Sequence, residues 1–178
     1  MILSEQQAMI RDSAARFAEH RLAPNTRAWE AAGSVDPQVL REMGRLGFMG
    51  MTVPEKYQGA GLDYVSYALA LIEIAAGDGA VSTIMSVNNA PVCAILQSVG
   101  SEELRERYLK PLAAGEMIGA FALTEPQAGS DAANVQTRAE RTSNGYAITG
   151  TKQFITSGQI AGAVIVFAVT DPAAGKRG

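Results

Sequence analysis

The residues best suited to chemistry in this sequence lie in two short segments of its last third. Residues 121–131 lead from apolar side chains into a loop with two hydroxyl side chains, a glutamate and a glycine. Residues 152–158 place an aromatic side chain and two hydroxyl side chains beside another glycine. Loops that follow strands commonly carry binding sites, so these segments, which flank a predicted hairpin, could line a single cleft.

Each segment also has a purely structural interpretation. In the first, Pro126 and Gly129 could reverse the chain while Ser130 and Asp131 satisfy backbone groups of a surface turn. In the second, Phe154 could be a core aromatic residue in a bent strand. Composition alone favours these structural interpretations for both segments.

The counts of cysteine and histidine restrict the chemistry further. Cys93 is the only cysteine and His20 the only histidine, which excludes a disulfide within the chain and a Cys/His metal site. Cys93 lies in an apolar stretch and is predicted to be a small buried side chain, whereas His20 lies in a polar run and is predicted to be solvated. Redox chemistry would therefore need a bound organic cofactor.

Charge and hydropathy exclude other classes of protein. The formal net charge is −3, and no cluster of Lys and Arg provides the basic patch that nucleic acids require. We expect no apolar stretch of the length of about 20 residues needed to cross a bilayer, and residues 1–7 lack the features of a signal peptide. We therefore expect a cytoplasmic protein with a real core, since 47% of its residues are hydrophobic.

The elements that position the two segments begin with a helical region. Ser4 and Gln7 predict a capping box for a first helix that runs to Leu22. In the helix predicted to begin at Asp36, the residues Val39, Leu40, Met43 and Leu46 have the spacing of one buried stripe. Further helices are predicted from Pro24 to Gly33, Asp36 to about Gly47, Asp63 to Gly77, Ala80 to Val99, and Ser101 to Lys110, where Pro111 should end the last one.

After Gly115 the pattern changes to that of strands. Asn144-Gly145 predicts a hairpin turn between two of them. We expect an α+β multidomain protein, with an all-α helical domain over residues 1–116 and a truncated antiparallel β-barrel-like domain over residues 117–178. The predicted strands are residues 117–123, 135–142, 146–150 and 163–169.

Four segments together resemble the acyl-CoA dehydrogenase family. Residues 121–131, Phe-Ala-Leu-Thr-Glu-Pro-Gln-Ala-Gly-Ser-Asp, resemble the family signature, and residues 154–158 resemble its second flavin motif. Residues 53–61 resemble its Val-Pro-Glu loop, and the helix with residues 86–89 resembles its acyl-pocket helix. The order of the motifs across a predicted α-to-β transition also matches, so the resemblance covers essentially the whole chain.

The resemblance implies a flavin site in the second predicted domain. It implies that Ser130 lies between flavin and acyl-CoA and therefore also binds substrate, and that Phe154 stands where the family often has tryptophan. It implies no catalytic role for Glu125, because the family's base is a glutamate of a carboxy-terminal domain beyond residue 178. The implied FAD-binding residues are Phe121, Leu123, Thr124, Gly129, Ser130, Phe154, Ile155 and Thr156.

The reaction implied by the resemblance is a step of fatty acid β-oxidation. A short or branched acyl-CoA would be dehydrogenated to a trans-2-enoyl-CoA, electron-transfer flavoprotein would receive the electrons, and the complete flavoprotein would be a homotetramer. Two alternatives share the fold, namely an acyl-CoA or nitroalkane oxidase relative that uses oxygen, and a non-catalytic member.

The resemblance also makes a prediction for the 178-residue chain alone. With FAD and acyl-CoA added, this chain should show no dehydrogenation, because general base catalysis contributes about 10² to 10⁴-fold and the expected base lies elsewhere. Reduction of an electron-accepting dye by the purified chain measures this directly. Turnover above the protein-free background would show that the base lies within these residues.

Overall fold

The computed structural model describes residues 2–177, so the outer limits of the predicted domains, Met1 and Gly178, lie outside the described residues. Helices fill the first part of the chain, as predicted. Their bounds are α1 Glu5–Phe17, α2 Thr26–Ala32, α3 Pro37–Arg45, α4 Tyr64–Gly77, α5 Gly79–Val87, α6 Ala94–Val99, α7 Glu102–Leu104 and α8 Lys110–Ala113. Wider π-helical segments, Ala18–Leu22, Asn88–Cys93 and Arg105–Leu109, follow α1, α5 and α7, and 3₁₀ turns cover Glu55–Tyr57, Ala132–Asn134 and Pro172–Arg177.

The first helix starts with the predicted capping box. The Gln7 backbone N–H donates to Ser4 Oγ over 3.2 Å, and the Ser4 N–H donates to Gln7 Oε1 over 3.1 Å. Both bonds satisfy donors that have no partner within the helix. The capping prediction is confirmed, and the helical path continues through the π segment to Leu22.

The buried stripe predicted for α3 is confirmed except at its last member. Val39, Leu40 and Met43 are buried, whereas 51% of Leu46 is exposed. Helix α3 ends at Arg45, and Gly47 then turns the chain with φ +82°. The helical periodicity therefore stops before it could bring Leu46 to the core.

The main core lies among α1, α3, α4, α5 and the turn at residues 48–51. Helices α1 and α4 contact each other along their length. Their apolar side chains are removed from water together, which is the main favourable term in folding. The largest fully buried side chains of this core are those of Leu22, Val39, Met43, Met49, Met51, Ile74, Val81 and Met85.

Pro111 does not end the last helix, contrary to the sequence prediction. It is the second residue of α8, and α8 directly follows the π segment Arg105–Leu109. Pro91 likewise lies inside the π segment that follows α5. A proline in a regular α-helix clashes with the carbonyl four residues earlier, and a π segment changes this spacing locally. The helical path therefore passes both prolines.

The path from Gly79 to Val99 is one helix of 21 residues that is long and apolar enough to cross a membrane. The expectation that no apolar stretch is long enough to cross a bilayer is therefore wrong, as judged by the length and composition of this helix. Core helices of other proteins have the same properties, and two consecutive asparagines of this one are buried and hydrogen-bonded within the fold. Its last turn is not enclosed, since 78% of Val99 is exposed.

The side chain of Asn88 joins the helical part of the chain to its first strand. Asn88 Nδ2 donates to the carbonyl oxygens of Met49 and Leu112 over 2.8 and 3.0 Å. Asn88 Oδ1 accepts from the Gly119 N–H over 2.9 Å. Gly119 lies so close to this helix that a Cβ atom would collide with Val92. One buried amide thus fixes three separate parts of the backbone.

Asn89 fixes the turn between α3 and the Val-Pro-Glu loop in the same way. Its Nδ2 donates to the carbonyl oxygens of Phe48 and Met85 over 2.8 and 2.9 Å. Its Oδ1 accepts from the Met51 N–H over 2.7 Å. Some of the backbone groups that the two amides bind, among them the N–H groups of Met51 and Gly119, would otherwise be buried without partners.

The strands form two separate pairs. In one pair, Gly119 lies opposite Ala163 in parallel orientation. In the other, an antiparallel hairpin, Thr142 lies opposite Gly145. The two-residue turn is therefore Ser143-Asn144, one position earlier than predicted. The strand bounds are β1 Gly119–Ala122, β2 Arg138–Thr142, β3 Gly145–Thr149 and β4 Ala163–Val166.

The prediction of an antiparallel barrel-like domain is not confirmed within residues 2–177. Strands β1 and β4 run parallel, and the two pairs do not close into a barrel. Backbone hydrogen bonds after the end of β4 link the two pairs. The Ala139 N–H donates to the Val169 carbonyl over 3.0 Å, and the Val169 N–H donates to the Thr137 carbonyl over 2.8 Å. The coarser prediction of a helical part followed by a small sheet part is correct.

Replacing Asn88 by alanine should destabilise the fold strongly. The Asn88→Ala variant leaves the Met49 carbonyl and the Gly119 N–H without partners, since the Leu112 carbonyl still accepts from the Gly115 N–H, and each buried unsatisfied group costs about 1 to 3 kcal/mol. We expect the free energy of unfolding in urea to fall by about 3 kcal/mol or more. Asn134→Ala, at an exposed position, is the matched control and should change it by less than about 0.5 kcal/mol. Equal effects of the two substitutions would contradict the role of Asn88.

Candidate functional site

The structure brings the two chemically interesting segments side by side. The Gln153 N–H donates to the Thr124 carbonyl over 3.1 Å. Next to this bond, Lys152 Nζ donates to the Leu123 carbonyl over 2.9 Å. The end of β1 and the segment after the hairpin are therefore joined through backbone groups, and their side chains share one region of the surface.

Glu125 is the buried centre of this junction. Only 2% of Glu125 is exposed. Its carboxylate accepts from Lys152 Nζ over 2.8 Å, from the Gln136 N–H over 2.7 Å and from the Thr137 N–H over 2.9 Å. It also accepts from the Thr137 hydroxyl and from the Gln127 side chain. Five donors thus compensate the loss of water around one carboxylate.

These donors decide the ionisation of Glu125. Burial raises its pKa, but the hydrogen bonds from Lys152 and Thr137 and from the backbone N–H groups of Gln136 and Thr137 outweigh burial, so the pKa lies well below its ordinary value of 4.5. A general base needs a pKa near the working pH and a free lone pair directed at substrate. Glu125 has neither property, which supports a structural role.

The local sequence explains how this centre forms. After β1, the Glu125 N–H donates to the Ala128 carbonyl over 3.0 Å and the Ala128 N–H donates back to Glu125 over 3.1 Å, which makes a tight turn. On the other side, Gly150 passes so close to Thr137 that any Cβ atom would collide with it. Glycine at this position therefore allows the chain to reach Lys152 beside the carboxylate.

The residues proposed to bind flavin are accessible, unlike Glu125. None of the eight is buried, and five are half-buried. Half-buried positions are available to a ligand while their backbone is held by the surrounding structure. The half-buried residues are Phe121, Leu123, Thr124, Ile155 and Thr156, and the exposed ones are Gly129, Ser130 and Phe154.

Phe154 is not a core residue, so the structural interpretation of this side chain is wrong. It is 87% exposed and its φ angle is +56°. Ser157 also has a positive φ angle, of +63°. Such angles in residues with a Cβ atom cost of order 1 to 3 kcal/mol and often occur at functional sites. The strained backbone presents the aromatic ring of Phe154 at the surface.

Ile155 faces a different space from its two neighbours. It lines a cavity of about 770 Å³ between the second motif and the helical part, together with Trp29, Ile84 and Ile160. Neither Phe154 nor Thr156 lines this cavity. Of these three consecutive residues, only Ile155 therefore faces the cavity, and Phe154 and Thr156 lie outside it.

Several structural residues near the site were not predicted from the sequence. The sequence patterns assigned no role to Lys152 or to Thr137. A lysine and a glutamate 27 positions apart give no periodic signal that would have revealed their contact. In the helix that resembles the acyl-pocket helix, the side chains of Asn88 and Asn89 are fully used in backbone contacts.

The predictions for Cys93 and His20 are confirmed. Cys93 is fully buried, and burial raises the pKa of its thiol to about 12, which removes the thiolate needed for nucleophilic chemistry. His20 is exposed. Among residues 2–177, no group of three acidic, histidine or cysteine side chains is placed to hold a metal ion.

Comparison with known proteins identifies the family. The model of the acyl-CoA dehydrogenase N-terminal domain matches residues 4–116, and that of the acyl-CoA dehydrogenase middle domain matches residues 120–178. The helical part, the sheet part and the two joined motifs therefore all correspond to one class of flavoprotein oxidoreductase. The chain belongs to the acyl-CoA dehydrogenase family.

Similar curated proteins include bacterial and mammalian dehydrogenases. The acyl-CoA dehydrogenase of Bacillus subtilis is 40% identical over 178 residues, which is 100% of this chain and 47% of the relative. The mitochondrial short-chain specific acyl-CoA dehydrogenase of Bos taurus is 38% identical over 176 residues, 99% of this chain and 43% of the relative. The chain thus spans less than half the length of these relatives.

Solved structures show the same similarity. Butyryl-CoA dehydrogenase from Megasphaera elsdenii has a TM-score of 0.92 and 37% identity, over 98% of this chain and 47% of that one. Glutaryl-CoA dehydrogenase from Mycobacterium smegmatis in complex with FADH2 has a TM-score of 0.91 and 37% identity, over 95% and 44%. A chain from a structural study of the electron transferring flavoprotein of Acidaminococcus fermentans has a TM-score of 0.94 and 41% identity, over 98% and 46%.

The Glu125 site should make stability depend on pH in the acid range. Because folding lowers the pKa of Glu125, its contribution is complete well above the ordinary pKa of 4.5 and is lost as pH falls below that value. Urea unfolding of the chain between about pH 6 and pH 3 should therefore show a decline in the free energy of unfolding. In Glu125→Gln the decline should be shallower, whereas Glu140→Gln, at an exposed position, should follow the unmodified chain. Parallel curves for all three proteins would rule out this role of Glu125.

Proposed function

We propose that the complete protein is an FAD-dependent acyl-CoA dehydrogenase. The observation that carries this proposal is the junction at Glu125 and Lys152, which holds the signature loop beside the second flavin motif. Around this junction, all eight residues implied by the family resemblance remain accessible. A buried, fully bonded support beneath accessible side chains is the arrangement that a pre-organised binding site requires.

The residues present fit a flavin. FAD, when bound, would supply the hydride acceptor for oxidation of the substrate, as flavin cofactors do. Thr124 and Thr156 would donate hydrogen bonds to the ring, and Phe154 would cover it and exclude water. The FADH2 complex of the glutaryl-CoA dehydrogenase from Mycobacterium smegmatis supports this cofactor. The proposed binding residues are Phe121, Leu123, Thr124, Gly129, Ser130, Phe154, Ile155 and Thr156.

The proposed substrate is a short or branched acyl-CoA, which would be converted to a trans-2-enoyl-CoA. Ser130, which is exposed in the signature loop, would lie between flavin and acyl-CoA. We propose that the base for the α-proton is a glutamate outside residues 1–178. The bovine short-chain specific enzyme and the Megasphaera elsdenii butyryl-CoA dehydrogenase support the short-chain assignment.

The proposed electron acceptor is electron-transfer flavoprotein. Similarity to a chain from the Acidaminococcus fermentans electron transferring flavoprotein study supports it. The division into domains at residues 116 and 117, the barrel-like form of the second domain, the homotetramer and the cytoplasmic location are further proposals for the complete protein.

Anaerobic reduction of the complete protein tests this function. After reconstitution with FAD, butyryl-CoA should bleach the flavin absorbance, and electron-transfer flavoprotein should restore it faster than oxygen does. Faster reoxidation by oxygen would favour an oxidase. Failure of every acyl-CoA to bleach a fully loaded protein would overturn the proposal in favour of a non-catalytic member of the fold.

The hydroxyl of Thr156 should control the reduction potential of the bound flavin. In the complete protein, Thr156→Val keeps the shape of the side chain but removes a donor whose bond to a charged group is worth about 1.5 to 3 kcal/mol. For a two-electron couple this lowers the midpoint potential by roughly 30 to 60 mV. Spectroelectrochemical titration measures the change, with Thr149→Val in exposed strand β3 as the matched control. An unchanged potential in Thr156→Val would remove this residue from the flavin site.

A further inference from the structure

Lys152 makes two different kinds of contact at the junction of the motifs. Its ammonium group forms an ion pair with the Glu125 carboxylate over 2.8 Å, and only 12% of its side chain is exposed. It also donates to the Leu123 carbonyl over 2.9 Å. An ion pair with Glu125 would be enough to neutralise the buried charge. The bond to Leu123 does something further, because it fixes the backbone at the end of β1.

The position of Lys152 along the chain connects these contacts to the strained segment. The next residue, Gln153, donates its N–H to the Thr124 carbonyl over 3.1 Å, and the residue after that is Phe154, with φ +56°. The segment that leads to Thr156 is therefore fixed to the signature loop immediately before its unusual backbone conformation. Lys152 and Gln153 hold consecutive carbonyl groups of the loop, those of Leu123 and Thr124.

We propose that Lys152 is a positioning residue that sets the distance between Thr124 and Thr156 and thereby orients both motifs towards flavin. This inference rests on the proposed function and goes beyond it, since the family resemblance implied no role for Lys152. Lys152 acts through the backbone of its neighbours and does not itself touch the cofactor. Small errors in the position of binding groups can reduce activity by about 100-fold, so such a residue has a measurable effect.

The first experiment removes the ammonium group and keeps the length of the side chain. In the complete protein, Lys152→Met should weaken FAD binding by about tenfold or more, and it should alter the visible circular dichroism of the bound flavin. It should lower kcat more than it raises KM for acyl-CoA, because most of the displaced residues are proposed to contact flavin and only Ser130 is also proposed to contact substrate. Lys110→Met is the matched control, since Lys110 pairs with Glu106 over 2.8 Å at the surface, and this variant should bind FAD normally.

A double variant separates positioning from neutralisation of charge. Lys152→Met alone leaves Glu125 buried and unpaired, which is strongly destabilising, whereas Glu125→Gln with Lys152→Met leaves no unpaired charge. Because Glu125 itself orders the loops, the double variant is compared with Glu125→Gln alone, and if Lys152 positions the motifs it binds FAD about tenfold more weakly than that single variant. If Lys152 only neutralises Glu125, the double variant and Glu125→Gln bind FAD equally well, and the inference is wrong.

The outcome also separates this inference from the proposed function. An unmodified complete protein that neither binds FAD nor is reduced by acyl-CoA would overturn the function itself. An unmodified protein that does both, together with a folded Lys152→Met variant of unchanged FAD affinity and unchanged flavin circular dichroism, would overturn only the role of Lys152.

Discussion

The buried amide of Asn88 is the contact on which the arrangement of the two parts depends. Its hydrogen bonds reach the turn at Met49, the end of α8 at Leu112 and the first residue of β1, Gly119. Met49 is distant in sequence from the other two points, and apolar contacts, which lack direction, would not by themselves fix its position relative to them. A buried amide tolerates only geometries in which its donors and acceptor all find partners. Asn88 therefore selects one placement of β1 against the helices.

From that fixed strand, the site is built by a buried charge. Glu125 lies three residues after the end of β1 and requires compensation wherever it is buried. The donors come from three parts of the chain, at Gln127, at Gln136 and Thr137, and at Lys152. Removing a charge from water is costly unless it is paired and hydrogen-bonded. The buried Glu125 carboxylate destabilises the fold unless these donors are in place. This need therefore fixes the positions of the loops that supply them.

Local patterns in the sequence predicted local structure well. The capping box at Ser4 and the stripe at Val39 and Met43 follow from rules that involve only neighbouring residues. Two features could not be predicted in this way. The parallel pairing of β1 with β4 depends on contacts between residues distant in sequence, and the passage of the helix through Pro111 depends on local widening of the helix. Hydrophobic periodicity encodes neither. At the site, motif resemblance supplied the candidate residues, while the support from Lys152 was visible only in three dimensions.

The burial of Cys93 has a practical consequence for spectroscopy. Because this thiol is enclosed and its pKa is raised to about 12, maleimide reagents should leave it unmodified in the folded chain. A cysteine introduced at an exposed position of the short turn Ala132–Asn134 would then be the single labelled site. A fluorophore there would stand a few residues from the signature loop, so ligand arrival could be followed by its emission without first removing the native cysteine.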